Sequence, residues 1–407
     1  MAASLPRSLQ GDVRAIGRGG DAITQTREGV VLVPGALPEE LIELEPTRSK
    51  RGAARGRLKR VLRPSEARVD PLCTHAARCG GCPLMIADAA AQREIKLGFL
   101  RDACRGLPGA ADTEPRWVSS PDAFGYRRRA RFAWHGNTLG YRALHSKHVN
   151  DIDECIVLVP PLRAAWTAVR RHLTDALAGS GEIQLQLGSG RRVVVALITG
   201  ADPTPALFDA CGALSADPSI AGVSLRTADG GAPATWGDEH VVLFSQANAG
   251  INDPLVRTVA ELAAPEGLRV LELYSGIGNF TLALASRSPS ALVAVEQDPR
   301  AVEICQATLE GRGLRARVTA GDASQPPKGR YDVVVLDPPR QGARALFERD
   351  DLWPGPRRIV YVSCDTATLS RDLRIVTGRG YRIDRMIGFD MFPQTAHLES
   401  LVRLVRA

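Results

Sequence analysis

Two short apolar runs, Val333–Leu336 and Ile359–Val362, end abruptly in polar residues that carry chemistry: Asp337-Pro338-Pro339-Arg340 after the first and Ser363-Cys364-Asp365 after the second. Three similar runs precede them, Leu268–Leu273, Val293–Val295 and Ala316–Thr319. Apolar runs such as Val333–Leu336 and Ile359–Val362 fit the strands of a parallel sheet covered on both faces. In such an open sheet ligands sit outside the carboxyl ends of the strands, so the two polar turns face one crevice. A carboxylate, a rigid turn and a thiol therefore converge.

The run Leu268–Leu273 leads into Tyr274-Ser275-Gly276-Ile277-Gly278-Asn279 and an expected helix over Phe280–Ala285. Glycines at this turn let backbone amides approach a ligand closely. A dinucleotide binder would carry a third glycine where Thr281 stands, so the turn suits S-adenosyl-L-methionine better than NAD. Glu296, about twenty residues on at the end of the next run, is placed to accept hydrogen bonds from two ribose hydroxyls. Asp322, in Gly321-Asp322-Ala323, is placed to meet an adenine amino group.

A strand-end cysteine is ordinarily a small packed hydrophobe. Near the C-terminus, however, Asp390-Met391-Phe392-Pro393-Gln394-Thr395-Ala396-His397-Leu398-Glu399 precedes a strand-like run, Leu401–Val405, and offers a base to complement the thiol. The segments DPPRQG, YVSCDTATLSRDL and DMFPQTAHLESLVRL, in this order and spacing, resemble the motifs of the S-adenosylmethionine-dependent RNA uracil-5-methyltransferases, the bacterial family that makes 5-methyluridine in ribosomal and transfer RNA. The resemblance implies that Cys364 adds to uracil C6, so that C5 can take a methyl group, and that Glu399 accepts the C5 proton. It implies cofactor contacts at Gln246, Tyr274, Glu296 and Asp337, with Asn279 and Asp322 in second rank. Family members often read Asn-Pro after the catalytic cysteine; this chain has Asp365-Thr366.

Residues 9–63 read as a small β-rich unit. Short runs at Asp12–Ile16, Val30–Val33 and Leu41–Leu44 alternate with Gly- and Pro-bearing turns, the pattern of five strands in a partly open OB-like barrel. Arg48–Arg68 carries nine Lys or Arg and one Glu. Such a run either neutralises several phosphates or forms a solvated basic strand pair. The whole segment resembles the TRAM domain that precedes many of these methyltransferases, which implies a grip on RNA without sequence reading.

Cys73, Cys79 and Cys82 follow, with Gly80-Gly81 between the last two. Three thiols this close, with glycines that let the backbone wrap a bulky anionic group, suit a metal or a cluster. Spacing alone does not separate zinc from iron and sulfur. By resemblance the fourth ligand is Cys155 and the group is a [4Fe-4S] cluster. Cys104, Cys211 and Cys305 have no such partners and read as packed or surface thiols.

Ala87–Arg105 has helical spacing, and Ser120–Phe132 interleaves aromatic and guanidinium groups. On a strand, that second segment would offer rings for stacking and Arg for phosphates, with the remaining side chains facing a core. From Ala164 to Gly231 helices and strands alternate around antiparallel pairing, without a catalytic signature.

A chain of 407 residues suggests two or three domains. A net charge of +7 and a pI near 9.1 suit a polyanionic partner. No apolar run reaches the roughly 18 residues of a membrane span, and a secretory leader is not evident, so the expected location is cytoplasmic. The predicted fold is α/β: a TRAM-like, OB-like barrel over 1–66, a central iron-sulfur and RNA-binding α/β domain over 67–240, and a doubly wound Rossmann-like methyltransferase domain over 241–407. The expected partner is RNA, ribosomal in preference to transfer RNA, with no membrane and no protein partner implied. A cytosine-5 methyltransferase would need an acid at N3, and an amino-group methyltransferase an aromatic residue where Arg340 stands. A non-catalytic iron-sulfur RNA-binding protein would leave the cofactor half without a purpose.

Overall fold

The computed structural model of the protein describes residues 8–47, 53–239, 245–350 and 355–407. Arg48, Lys50 and Arg51 of the basic run, and the expected start of the C-terminal domain at Val241, lie outside them. By compactness the chain divides into two units. One comprises Met1–Gln92, Asp122–Asn248 and Pro393–Ala396; the other comprises Arg93–Pro121, Ala249–Phe392 and His397–Ala407. The expected boundary between residues 66 and 67 falls inside the first unit.

The first unit opens with β1 (Leu9–Ile16), β2 (Ala22–Thr26), β3 (Gly29–Val33), β4 (Leu41–Thr47) and β5 (Ala54–Arg63). These form a closed barrel in the order β1-β2-β3-β5-β4, not a partly open one. Closure comes from β1 pairing with both β2 and β4, and from a short parallel contact of β3 with β5 at Val31↔Ala54 and Leu32↔Arg55. The basic run meets acids of the barrel itself. Arg57 lies 2.5 Å from Glu45, Arg60 3.1 Å from Glu43 and Arg55 3.0 Å from Asp21. The pairs of Glu43 and Glu45 are open to solvent, whereas Asp21 is buried. Arg68 reaches the buried Glu40 at 2.5 Å, and that guanidinium, with the Leu37 and Ser65 amides, holds the Glu40 carboxyl below its ordinary range against the effect of burial.

Helix α1 (Ala89–Cys104) and β6 (Arg116–Val118) come next, and the first unit then resumes. Its second sheet uses β7 (Arg129–His135), β8 (Thr138–Arg142), β9 (Val149–Asp151), β10 (Ser180–Leu187), β11 (Val193–Thr199), β12 (Ile220–Thr227) and β13 (Ala234–Gly237). The order is β13-β12-β11-β10-β7-β8-β9, and its one parallel pair, β11 with β12, is bridged by the helix α3. Helices α2 (Pro160–Leu173) and α3 (Pro205–Ser215) cover a core that includes Ile183, Leu185, Val195 and Leu197. Both helices begin at proline, whose fixed φ suits the first helical position. Phe132 stacks on Trp166 with ring centroids 3.6 Å apart. Of the rings in that segment, Tyr126 and Phe132 are core residues, and Arg127 is half-buried beside them. Among the same segment's guanidiniums, Arg131 stays exposed.

Four C-terminal residues also belong to this unit. Gln92 and Gln394 exchange two hydrogen bonds of 3.0 Å, the Leu84 amide donates to the Gln394 carbonyl at 3.0 Å, and the Tyr126 hydroxyl donates to the Pro393 carbonyl at 3.0 Å. Gln394 is held in a left-handed conformation, φ 70°.

The second unit is a doubly wound α/β layer. Its elements are α4 (Ala249–Ala263), β14 (Arg269–Leu273), α5 (Thr281–Ala285), β15 (Ala291–Glu296), α6 (Pro299–Gly311), β16 (Arg317–Ala320), β17 (Val333–Leu336), α7 (Arg344–Phe347), β18 (Arg358–Ser363), α8 (Thr366–Thr377), β19 (Tyr381–Phe389) and β20 (Glu399–Arg406). The sheet order is β16-β15-β14-β17-β18-β20-β19-β6. Strands β14 to β18 are parallel, and β20 inserts antiparallel between β18 and β19. Alternation divides each buried strand between two cores: Val334, Leu336, Ile359 and Tyr361 enter one, and Val333, Val335, Val360 and Val362 the other. Cys104 and Cys305 are packed here and Cys211 in the first unit, as expected of ordinary thiols. No helix among the described residues is long and apolar enough to cross a membrane.

Glu272 interrupts this apolar pattern in the middle of β14. It is 1% exposed, neither carboxyl oxygen makes a well-formed hydrogen bond, and burial pushes the group up to about 8, with Thr281 opposing only in part. A raised carboxyl stabilises the fold fully below the ordinary carboxylate range and loses that contribution as the pH rises to about 8. Glu272→Gln should therefore flatten the fall of stability with pH over that window. At alkaline pH it should raise the melting temperature by a few degrees, for a gain of about 1–3 kcal/mol; thermal melts of both proteins across the pH series check this.

Candidate active site and thiol cavity

The β18–β20 ladder ends at Ser363↔Ser400, so Cys364 and Glu399 stand one residue beyond the last of its pairs, on adjacent strands. On its other side β20 pairs with β19, and Glu399 lies opposite Phe389. Asp337 follows β17 immediately, at the same carboxyl end of the sheet. The crevice thus receives the three groups from three neighbouring strands, as the strand-end rule requires.

Local interactions fix each of them. The Asp365 carboxylate accepts from the Ala367 and Thr368 amides at 2.9 Å and caps α8 directly after Cys364. Asn caps as well as Asp, and Pro is favoured at the next position, so Asp365-Thr366 and Asn-Pro start the same helix in two ways. The turn after Asp337 is gripped from α8: the buried Asp372 accepts from the Ala343 amide and the Tyr361 hydroxyl, both at 2.7 Å, and Arg371 donates to the Gln341 carbonyl at 2.8 Å. Sequence reading missed Asp372, although an acid placed on the apolar stripe of a helix was the available signal.

The electrostatics of the crevice favour neutral groups. Glu399 is 3% exposed with Oε1 unpaired, and burial, then the charge of Asp337, pushes its carboxyl well above the ordinary range. Burial likewise takes Asp337 up to about 7. The half-buried Cys364 thiol is pushed up to about 12 by desolvation and by the negative charges of Glu399 and Asp337, with the Arg340 guanidinium opposing. These groups share one poorly solvated space and suppress one another's ionisation.

The expected cofactor residues are placed as follows. Tyr274 leaves β14 in a left-handed conformation, φ 62°, a strain of order 1–3 kcal/mol for a non-glycine residue. Gly278, φ 95°, packs so tightly that a Cβ would come 2.7 Å from Cys305 Sγ. The Glu296 carboxylate accepts from the amides of Gly276, Gln297 and Asp298 at 2.8–2.9 Å. Three of its roughly four lone-pair sites are engaged by these amides. Asn279 exchanges amide hydrogen bonds with Asn252 of α4 at 2.9 and 3.0 Å, so its side chain is committed to the scaffold. Asp322 is exposed, and the Ser324 amide and hydroxyl, each at 2.8 Å, lower its carboxyl. Gln246 is half-buried in the first unit, next to Ala247 and Asn248, whose backbones pair with Arg128 and Arg127.

In the first unit, Cys73, Cys79, Cys82 and Cys155 line one cavity together with His75, Arg127 and Tyr141. Burial and the neighbouring thiols raise Cys82 to about 12 and Cys79 above its ordinary value, while Arg127 opposes both. Gly80 passes against Leu144, where a Cβ would lie 2.7 Å from the backbone nitrogen. His75 is bound to Asp153 at 2.6 Å. Among the described residues, no three His, Cys, Asp or Glu side chains are arranged to chelate a single metal ion. Arg127 was missed as a site residue because its place in an arginine run suggested an RNA-facing cation.

Residues 244–349 match the family described as methyltransferase small domain, and residues 328–407 match tRNA (uracil-5-)-methyltransferase. A protein of Shewanella piezotolerans is 32% identical, with 94% of this chain and 92% of that protein covered; one of Klebsiella pneumoniae is 34% identical, with 95% and 93% covered. Both are named 23S rRNA (uracil(1939)-C(5))-methyltransferase RlmD. The crystal structure of Pyrococcus abyssi tRNA (uracil-54, C5)-methyltransferase with S-adenosyl-L-homocysteine matches with a TM-score of 0.73 at 25% identity, over 97% of this chain and 100% of that one. With relatives of this identity aligned over nearly its whole length, the chain belongs to the RNA uracil-C5-methyltransferase family.

Proposed function

We propose that this protein transfers a methyl group from S-adenosyl-L-methionine to C5 of a uridine in RNA, with 23S ribosomal RNA as the substrate class. The observation that carries the reading is the placement of Cys364 and Glu399 just past the end of one antiparallel ladder. The names of the bacterial relatives favour ribosomal RNA; the archaeal structural relative makes transfer RNA the second reading.

The target uridine must leave its stack to reach Cys364, at a cost of a few kcal/mol. The Cys364 thiolate forms a bond to C6, and the C5=C6 electron pair moves into an enolate that makes C5 nucleophilic. Arg340 is the cation that favours this thiolate. S-adenosylmethionine, when bound, would supply the methyl group to C5 as an electrophile, its S–CH3 electron pair staying on sulfur as the neutral thioether, and the glycine turn after Tyr274 with the carboxylate of Glu296 suits its adenosine. Glu399 then takes the proton left on C5, and the electrons of that C–H bond restore C5=C6 and expel the thiolate. Its raised affinity for a proton makes Glu399 a stronger acceptor at this step, once it has been ionised.

Cys73, Cys79, Cys82 and Cys155 would hold a [4Fe-4S] cluster. Their shared cavity, the glycine backbone beside Cys79 and the guanidinium of Arg127, which offsets negative charge, are compatible with such a group. The cluster would tie the Cys73–Cys82 loop to the turn at Cys155. We assign the barrel a TRAM-like grip on RNA, with its exposed Lys59 and arginines available to phosphates.

Tritium release from ribosomal and transfer RNA labelled at uracil C5, with S-adenosylmethionine, tests the reaction. Release should require both the cofactor and Cys364, and should come from the ribosomal pool; no release from either pool would refute the assignment. Glu399→Gln should slow release by about 10²–10⁴-fold and leave methylated RNA attached to the protein. Because Cys364 and Glu399 must both lose protons and burial raises both, single-turnover rates should climb with pH through the neutral and into the alkaline range; a flat profile would contradict the thiolate-and-base scheme. Protein purified without oxygen should contain about four iron and four sulfide per chain, and Cys82→Ser should lose both. One zinc per chain would instead establish a zinc site.

A further inference from the structure

Lys96 lies on α1, outside every motif that carries the chemistry, and is 0% exposed. Its Nζ donates to Asp390 Oδ1 at 2.7 Å and to the Phe392 carbonyl at 3.0 Å. These acceptors begin the connection between β19 and β20. Asp390 directly follows Phe389, the cross-strand partner of Glu399, and its amide is tied to the Val118 carbonyl at 3.0 Å. Lysine is almost never buried unless paired, and a buried ion pair is often no more stabilising than apolar residues of the same size. What the ammonium supplies here is direction, because its donors fix a carboxylate and a carbonyl that are two residues apart.

We propose that Lys96 is a positioning residue for the methyltransferase reaction, holding the end of β19 so that Glu399 meets the proton on C5. The proposal rests on the assignment of Glu399 as the base. A misplacement of about 1 Å is enough to slow a reaction by about 10²-fold, and Phe389 carries any shift of Asp390 directly to its partner Glu399. Addition of Cys364 to C6 depends on β18 and α8 instead, so the two halves of the reaction should respond differently to loss of the ammonium.

Two variants are measured in the full-length enzyme: Lys96→Met, and Lys96→Met with Asp390→Asn, which leaves no buried charge unpaired and protects the fold. RNA containing 5-fluorouridine reports addition and methyl transfer alone, because a base cannot remove fluorine from C5. RNA tritiated at C5 reports the complete cycle. Both variants should form the fluorouridine adduct within about threefold of the wild-type rate, release tritium at least about tenfold more slowly, and accumulate methylated RNA–protein adduct. Equal losses in both assays, or no loss in either, would overturn the positioning role. Absence of adduct and of release with the wild-type enzyme would instead refute the thiol-and-base reading beneath it.

Discussion

Six paired positions, from Arg358↔Val405 to Ser363↔Ser400, hold β18 against β20, and the geometry of the reacting crevice follows from that ladder. A one-residue slip would turn every side chain of a strand to the opposite face. Here such a slip would push Ile359 and Tyr361 out of one core and Val360 and Val362 out of the other. The register is therefore fixed by two hydrophobic cores at once, and the thiol and the carboxyl at its end inherit that precision.

The same burial sets the chemical state of the site. Cys364, Asp337 and Glu399 occupy a space with little solvent, in which Arg340 opposes the build-up of charge at the thiol, so each negative charge raises the cost of the next. The thiol cavity in the first unit faces the same problem with a different balance. There Arg127 is half-buried beside the cysteines, a cation positioned before any anionic guest arrives.

What the sequence revealed depended on whether the signal was local. Strand β17 was legible to the residue, because a wholly apolar run bounded by Asp332 and Asp337 has no other comfortable place. Strand β18 was legible to within one residue at each end, Ile359–Val362 against Arg358–Ser363, whereas the helix after Cys364 was not read from the sequence. Barrel closure was not, since it depends on Val31 and Leu32 meeting residues more than twenty positions away. Arg127 and Lys96 were hidden by residue type: both are ordinarily surface groups, and only the packing around them shows otherwise. The acids that meet β5 were visible as residues but not as partners. Glu43 and Glu45 precede the basic run in sequence, and strand register decides which arginine each one faces. The crowded carboxylate of Glu296 was foreseen as an acceptor, whereas the three amides that already occupy it are products of the turn.

The membership of Pro393–Ala396 in the first unit has a consequence for biogenesis. Gln92 meets its partner Gln394 across 302 residues of chain. At bacterial and eukaryotic synthesis rates of about 5–20 residues per second, that separation amounts to roughly 15–60 s. An N-terminal unit that would otherwise fold as it emerges must wait, with this seam open, until almost the whole polypeptide has been made. A chain that stops before residue 393 therefore lacks the partners of Leu84, Gln92 and Tyr126 in its first unit as well as its last strand.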